Sequence, residues 1–103
     1  MQIPVSYRER VIDLAPLGCN EVAWLNADAI EFLKSLHSEI QIVLGGDVVQ
    51  HLEGRWGHNG DSWHYESDTS RQPSWNSASS ISKAIQYIEN YPKGPYAFVL
   101  VLA

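Results

Sequence analysis

The sequence predicts a single α+β domain over residues 1–103, with an antiparallel-dominated sheet, two main helices packed against it and the C-terminal strand in the centre. Three observations favour this class. Two stretches repeat apolar residues at helical spacing, and short strand-like segments broken by glycines lie between them. The closing stretch, YAFVLVLA, is apolar on both faces, which is typical of a strand covered on each side.

The first predicted helix begins at Asn26, a residue type that caps helix N-termini, and Asp28 and Glu31 favour its positive end. Its apolar stripe follows the helical period: Ile30, Leu33, Leu36 and Ile40, with Phe32 beside it. The residues just before this helix, Val22, Trp24 and Leu25, are predicted to lie in the core. Residues 6–15 fit a helix or a strand almost equally well, and Pro16 would end a helix there.

The stretch VLGGDVVQ raises the question of what Gly45, Gly46 and Asp47 do between two strand-like pieces, 41–44 and 47–52. A phosphate-binding loop needs a longer glycine pattern that opens a helix. Here a strand pattern follows, so we interpret the glycines as a bend or bulge. In this interpretation Asp47 stabilises the bend by accepting hydrogen bonds from neighbouring amides.

The second half is predicted to contain a glycine-rich turn over 54–61, a strand over 62–67 with Trp63 and Tyr65 on one face, and a polar loop over 68–80. A second helix is predicted from Asn76 or Ser77 to Tyr91, and Pro92 and Gly94 end it. Its inward residues are predicted from their spacing to be Ile81, Ala84, Ile85 and Ile88.

The charge balance argues against direct nucleic-acid binding and for a basic partner. The chain has 7 Lys+Arg and 12 Asp+Glu, a formal charge of −5, and its basic residues are scattered. Phosphate backbones attract clustered cationic side chains. Opposite fields speed the encounter of an acidic protein with a basic one.

Cys19 is the only cysteine, which excludes an intrachain disulfide and fits a reducing compartment. The N-terminal stretch lacks the apolar core of a signal peptide, and the longest apolar run, 96–103, is too short to span a bilayer. We therefore expect a cytoplasmic protein without a membrane contact. Cys19 lies in no motif that would activate it as a nucleophile.

The histidines leave two chemical alternatives open. His58, Asp61 and His64 lie within seven residues, and zinc accepts such ligands, although the spacing matches no established pattern. An enzyme would place His51, His58 or His64 beside Asp47 or Asp61 in a pocket. We expect no cofactor, no metal and no catalytic residue.

The tryptophans indicate a binding surface. Trp56, Trp63 and Trp75 fall in or beside polar, glycine-rich stretches, so at least one is expected to be partly exposed. Tryptophan and tyrosine often anchor protein interfaces. The alternative is a small cluster beneath the loop 68–80.

The order of these segments resembles the immunity protein 40 family. The resemblance covers about residues 15–103 and rests on GCNEVAWLNADAIEFLKSL, VLGGDVVQ, GDSWHYE, AIQYIENY and YAFVLVL. It implies a small bacterial protein that neutralises a polymorphic or contact-dependent toxin. The segment EGRWGHNGD, 53–61, departs from the family pattern, so this segment is a candidate for the partner-specific part.

We therefore expect an immunity protein that binds one cognate toxin, a basic nuclease-type domain, and acts as a monomer or weak homodimer. The predicted contact surface combines acidic, histidine and tryptophan residues: Asp47, Glu53, Trp56, His58, Asp61, Glu66, Asp68 and Trp75. A small metal-dependent or His/Asp-dependent enzyme and a regulatory module that dimerises through an edge strand are the alternatives.

Overall fold

The computed structural model describes Tyr7 and residues 10–15, 21–36 and 40–103. The elements in chain order are β1 (Val11–Asp13), β2 (Val22–Trp24), α1 (Asn26–Ser35), β3 (Val43–Leu52), β4 (Arg55–His64), α2 (Pro73–Asn90) and β5 (Tyr96–Leu102). The five strands form one sheet in the order β1-β2-β5-β3-β4, and every neighbouring pair is antiparallel. The predicted α+β class and the central position of the C-terminal strand are confirmed.

Strand β5 holds the middle of the sheet because both of its faces are apolar. Phe98 and Leu100 belong to a large cluster that also contains the buried residues of both helices. Ala97 and Val99 point the other way, into a second cluster with Ala23 and Val49. No residue of α1 or α2 belongs to this second cluster, so both helices pack on one side of the sheet. We call the opposite side the back face.

Helix α1 buries the predicted side but is shorter than its apolar pattern. Phe32, Leu33 and Leu36 are buried, whereas Ile40 is 57 % exposed with a φ of 48°. The helix ends at Ser35, and Ile40 therefore lies beyond the turns that would place it on the stripe. Two further predictions are wrong, that Asn26 caps the helix and that Leu25 lies in the core.

Leu25, not Asn26, is the residue before the first helical turn, and Leu25 is 46 % exposed instead of buried. Strand alternation turns it away from Trp24, which is fully buried as predicted. Asn26 is the first helical residue. Its side-chain amide donates to the Ile88 carbonyl (3.0 Å) and so ties the start of α1 to the end of α2.

Helix α2 starts at Pro73, earlier than the predicted Asn76 or Ser77, because proline is well suited to the first turn of a helix. The two residues expected to begin it are instead buried. Ser77 Oγ donates to the Gln41 carbonyl at 2.7 Å, and the neighbouring Ser80 Oγ accepts from the Val43 amide at 2.9 Å. These bonds attach α2 to the start of β3. The predicted inward residues Ile81, Ala84 and Ile88 are fully buried, and Ile85 is half-buried.

Strands β3 and β4 form a long hairpin where the sequence predicted a wide turn over 54–61. The turn needs only two residues, Glu53 and Gly54, with φ values of 52° and 83°. Two consecutive positive φ values are what a tight type I′ hairpin turn requires. The glycines that suggested a longer turn lie inside β4, Gly57 opposite Gln50 and Gly60 in a bulge between His58 and Ser62.

The glycine pair has the structural role that was predicted, although β3 is one continuous strand and not two pieces. The register of β3 against β5 shifts between Val43 and Gly45, and Gly45 has a φ of 150°. Gly46 lies directly opposite Trp63. A Cβ on Gly46 would come within 2.3 Å of the Trp63 ring and 2.2 Å of the Val99 carbonyl oxygen.

Within the stretch 6–15, for which helix and strand were both predicted, residues 11–13 form a strand that pairs with β2. Pro16, Cys19 and Asn20, on which several predictions depended, lie outside the described residues. Of the helices that the structure describes, none has the length and apolarity needed to cross a membrane.

The contact between Gly46 and Trp63 generates a stability prediction. Gly46→Ala is expected to lower the free energy of unfolding by about 2–3 kcal/mol or more, because the added methyl group meets rigid backbone and a buried ring. Urea denaturation measures this change.

Gly57→Ala is the matched control, since a Cβ there meets no atom within 4 Å. It is expected to change stability by less than about 0.5 kcal/mol. Equal destabilisation by the two substitutions would contradict the close-contact explanation.

Candidate functional site

The eight residues predicted to form one surface lie in three places. Asp47, Trp56 and His58 are on the back face of the β3–β4 hairpin, and Glu53 is in its turn. Asp61 lies in the β4 bulge and contacts the end of α2. Glu66, Asp68 and Trp75 are near the start of α2, at the other end of β4.

The first group belongs to what we call the hairpin face, the side chains that β3 and β4 present on the back face between the turn and the Asp47–Ser62 pair: Asp47, Val49, His51, Trp56, His58 and Ser62. Cross-strand pairing places His51 opposite Trp56, Val49 opposite His58, and Asp47 opposite Ser62. Val49 is fully buried, Asp47 and Trp56 are half-buried, and the remaining three are exposed. The hairpin face is therefore a partly apolar strip with a polar margin.

Trp56 is the main aromatic group of the hairpin face. Its ring packs against the back-face cluster and meets the His51 ring edge to face, with the ring centroids 5.1 Å apart. The sheet supports one side of the indole, and half-burial leaves part of it open to solvent. A ring held in this way loses little conformational freedom when a partner covers it.

Asp47 does not have the structural role expected of it. Among the described residues its carboxylate accepts no hydrogen bond from a neighbouring amide. It lies between Ser62 on β4 and Val99 on β5. The bulge at Gly45 follows from the glycine backbone alone, and the Asp47 carboxylate is left as a charged group on the hairpin face.

Asp61 and Asn59 hold the hydroxyl of Tyr91. The hydroxyl donates to Asp61 Oδ2 at 2.7 Å, and Asn59 Nδ2 donates to the same hydroxyl at 2.7 Å. Burial and the hydrogen bond to Asp61 raise the pKa of Tyr91 above its ordinary value. The bulge thus connects β4 to the residue that follows α2, and Asp61 points away from the hairpin face.

Near the start of α2, Asp68 organises a local loop. Its carboxylate accepts bonds from the Ser70 amide (3.0 Å) and hydroxyl (2.6 Å), which lower its pKa. The buried Asn76 fastens this loop, since its Oδ1 accepts from the Asp68 amide (2.7 Å) and the Tyr65 hydroxyl (2.9 Å). These contacts give Asp68 a structural role.

Trp75 is 42 % exposed on the first turn of α2, with the Arg71 guanidinium 4.6 Å from its ring centroid. It therefore meets the expectation of a partly exposed tryptophan, as does Trp56. Trp63 is buried and stacks on Tyr87 with ring centroids 4.7 Å apart. Trp75 and Trp56 lie at opposite ends of β4, on opposite sides of the sheet.

The arrangement of the histidines does not match the metal alternative. His58 and His64 are on the back face, whereas Asp61 between them binds Tyr91 on the other side. Within residues 40–103 and the shorter described segments, no three His, Cys, Asp or Glu side chains converge as ligands for a metal ion. His51, which an enzyme would need beside a carboxylate, instead contacts Trp56.

The sheet ends in β1 on one side and β4 on the other, and β1 has only three residues. Very short edge strands offer little for another chain to pair with, so the alternative of dimerisation through an edge strand concerns β4. Its edge is interrupted in two places. At the bulge, the Asp61 amide donates to Asn59 Oδ1 (3.0 Å), and at the end of the strand Lys83 Nζ donates to the His64 carbonyl. Bulges and lysines commonly protect edge strands from pairing with another chain, so the structure gives this alternative little support.

Sequence reasoning missed three residues that shape the candidate site. His51 contacts Trp56, Leu52 is 62 % exposed beside the turn, and Tyr91 holds the bulge. The period-two alternation of a continuous β3 would have placed His51 on the same face as Asp47. The tight Glu53–Gly54 turn would then have placed it opposite Trp56.

Most of the negative charge lies on the hairpin and the loop that follows. Residues 43–68 contain five acidic residues and one basic residue, a formal charge of −4, against −5 for the whole chain. The exposed charges of this region point in several directions. Asp47 and Glu53 are those associated with the hairpin face and its turn.

A comparison with protein families finds that residues 13–102 match the family described as Immunity protein 40. No curated protein matches the chain, and no solved structure does. The matched region includes β2 to β5 and both helices, and of the three-residue β1 it includes only Asp13.

The Tyr91 contact generates a prediction about stability and pH. Tyr91→Phe removes both hydrogen bonds of the hydroxyl, so it is expected to lower the free energy of unfolding by about 1–2 kcal/mol at neutral pH. Tyr96→Phe is the control, because Tyr96 packs on Tyr91 and its hydroxyl forms no hydrogen bond with the described residues.

Because folding raises the pKa of Tyr91, the folded protein retains the phenol proton at a pH where the unfolded chain has lost it. This contribution is complete below the ordinary tyrosine pKa of about 10 and is lost as the pH rises through the folded value. Chemical denaturation between neutral and alkaline pH should show that the free energy of unfolding falls less steeply with pH in Tyr91→Phe than in Tyr96→Phe. Identical pH profiles for these two variants would contradict the assignment of this pH dependence to the Tyr91 hydroxyl.

Proposed function

The chain belongs to the Immunity protein 40 family, and on that premise we propose that it neutralises a basic nuclease-type toxin by covering a cationic surface of that toxin. Membership implies an immunity protein directed against a toxin, and such proteins generally act without catalysis. The type of toxin, the contact surface and the mode of inhibition are our proposal. We place the interaction in the bacterial cytoplasm, where the single cysteine would stay reduced.

The observation that carries the proposal is the hairpin face. It joins the half-buried Trp56 to the carboxylate of Asp47, and the exposed Glu53 lies in the turn beside it. A nuclease must attract a phosphate backbone and therefore presents basic side chains around its active site. An acidic protein is attracted by the same field. Inhibition then requires only that the bound protein excludes the nucleic acid.

The geometry also divides the predicted contact residues by role. We assign the centre of the interface to Asp47, Glu53, Trp56 and His58, which share the hairpin. Glu66 and Trp75 are assigned to the margin, and Asp61 and Asp68 to local structure, since each already has hydrogen-bond partners. Acids at a margin affect mainly the rate of association and its dependence on salt.

Co-expression tests the function directly. Cells that produce the toxin domain encoded immediately upstream are expected to grow when this chain is also produced, and the two proteins should co-elute on gel filtration. A fluorescent oligonucleotide bound to inactivated toxin should be displaced by the chain if inhibition is by occlusion. Continued growth arrest without a complex would refute the function, whereas a complex that still binds the oligonucleotide would refute occlusion alone.

The tryptophans offer a matched test of the interface. Trp56→Ala is expected to weaken toxin binding by at least about 2 kcal/mol, because an aromatic anchor at the centre of an interface is lost. Trp75→Ala should cost less than about 0.5 kcal/mol of binding, as for most marginal contacts. Calorimetric titration measures both, and circular dichroism with urea denaturation confirms that each variant is folded. A larger loss in Trp75→Ala would place the interface at the start of α2.

A further inference from the structure

We propose that the turn of the β3–β4 hairpin is the element that enters the cationic cleft of the toxin, with the Glu53 carboxylate occupying the position of a substrate phosphate. This inference rests on the proposed function and specifies which part of the hairpin makes the decisive contact. It is carried by three independent features of the turn: its conformation, its exposure and its position in the sheet.

The conformation of the turn does not favour glutamate. Glu53 has a φ of 52° and precedes Gly54 at 83°. Positive φ is unfavourable for residues with a Cβ, and tight hairpin turns of this kind strongly prefer Asn-Gly or Asp-Gly. Glutamate here adds a longer, flexible, charged side chain at a conformational cost. Strain at an exposed position, with no structural contact to compensate for it, is a reason to infer function.

The exposure of the turn fits insertion into a partner. Of the large hydrophobic residues that the structure describes, Leu52 is the most exposed, at 62 %, and Glu53, Gly54 and Arg55 are exposed as well. An exposed leucine beside a carboxylate gives the turn an apolar edge and an anionic end. Leu52 pairs with Arg55 on the helix side of the hairpin and the half-buried Trp56 pairs with His51 on the back face, so the two hydrophobic side chains flank the turn on its two sides.

The turn lies beyond the strand that supports the hairpin. The last backbone bonds from β3 to the segment around β5 involve Gln50, paired with Tyr96, and His51, whose amide donates to the Pro95 carbonyl at 2.8 Å. Residues 52–55 therefore continue past the neighbouring strand. Such a projection can enter a concave site, whereas the flat part of the sheet cannot.

The occupant follows from the carboxylate at the tip of the turn. Residues 52–55 carry one negative charge, on Glu53 in the turn, and one positive charge, on Arg55 at the start of β4. The projecting Glu53 carboxylate suits a cleft lined by arginine or lysine side chains, which bind carboxylate and phosphate with similar geometry. We therefore assign the turn to the phosphate-binding groups of the toxin and not to an apolar groove.

A pair of isosteric substitutions tests this. Glu53→Gln and Glu21→Gln remove the same charge from two exposed positions, one in the hairpin turn and one just before β2, on the other side of β5 from the hairpin. With inactivated toxin domain as the probe, Glu53→Gln is expected to raise Kd at least tenfold and Glu21→Gln less than twofold. Both variants retain the wild-type backbone, which circular dichroism checks.

Glu53→Asn separates binding from folding. Asparagine tolerates positive φ and restores the preferred Asn-Gly turn, so this variant is expected to unfold at a higher urea concentration than wild type while binding toxin as weakly as Glu53→Gln. Gain of stability with loss of binding would show that the glutamate is kept for its contact with the partner.

The outcomes distinguish this proposal from the proposed function. If wild type binds and protects but Glu53→Gln binds within twofold of it, the turn is not the contact. Equal weakening by Glu53→Gln and Glu21→Gln would likewise overturn the proposal in favour of a general electrostatic attraction. If wild type neither binds the toxin domain nor protects cells from it, the proposed function fails and this inference with it.

Discussion

The contact of the Trp63 indole with the Cα of Gly46 determines how the hairpin joins the rest of the molecule. The two residues are opposite each other on β3 and β4, and the absence of a side chain on Gly46 lets the ring lie against the strand. The other side of the indole stacks on Tyr87 of α2. One buried ring therefore connects the outer strand of the sheet, its neighbour and a helix. The edge strand β4 is held in place without a further strand beside it.

A second attachment lies closer to the turn, where Tyr91 binds the β4 bulge through Asp61 and Asn59. Tyr91 also packs edge to face on Phe98 and Tyr96 of the central strand. The hairpin is thus fixed along most of its length on the helix side. The turn itself has neither attachment, and its side chains are exposed. The distribution of contacts separates a rigid support from a free end, which suits an inhibitor that presents a preformed element to its target.

The parts of the fold that could be predicted from the sequence are those in which a single periodicity decides the outcome. The apolar stripe of α2 and the two-sided apolar pattern of β5 both identified their buried residues. Leu25 was misplaced because it lies at the junction of β2 and α1, where a shift of one residue reverses the exposure of a side chain. Ile40 was misplaced because α1 ends at Ser35, so the helical period no longer applies to it.

The candidate site was harder to predict because its residues are brought together by the register in which β3 pairs with β4. The sequence placed Asp47, Trp56 and His58 on a surface, but only the two-residue turn at Glu53 brings His51 opposite Trp56. The glycines at 57 and 60 concealed this turn, since they resemble turn residues and one of them lies in a bulge. Asp61 and Asp68 were grouped with the surface acids for their charge, whereas the Asp61 carboxylate accepts a hydrogen bond from the Tyr91 hydroxyl and the Asp68 carboxylate accepts bonds from the Ser70 amide and hydroxyl.

Net charge and shape contribute to recognition at different stages. A region with a formal charge of −4 attracts any basic protein, so the field accelerates encounter but does not distinguish one toxin from another. Discrimination must come from contacts that form only when the surfaces fit. In the proposed interface those contacts come from the projecting turn and the supported indole of Trp56, with the exposed His51 and His58 beside it. We therefore expect exchange of residues 52–58 to alter which toxin is recognised while the Trp63 and Tyr91 attachments stay unchanged.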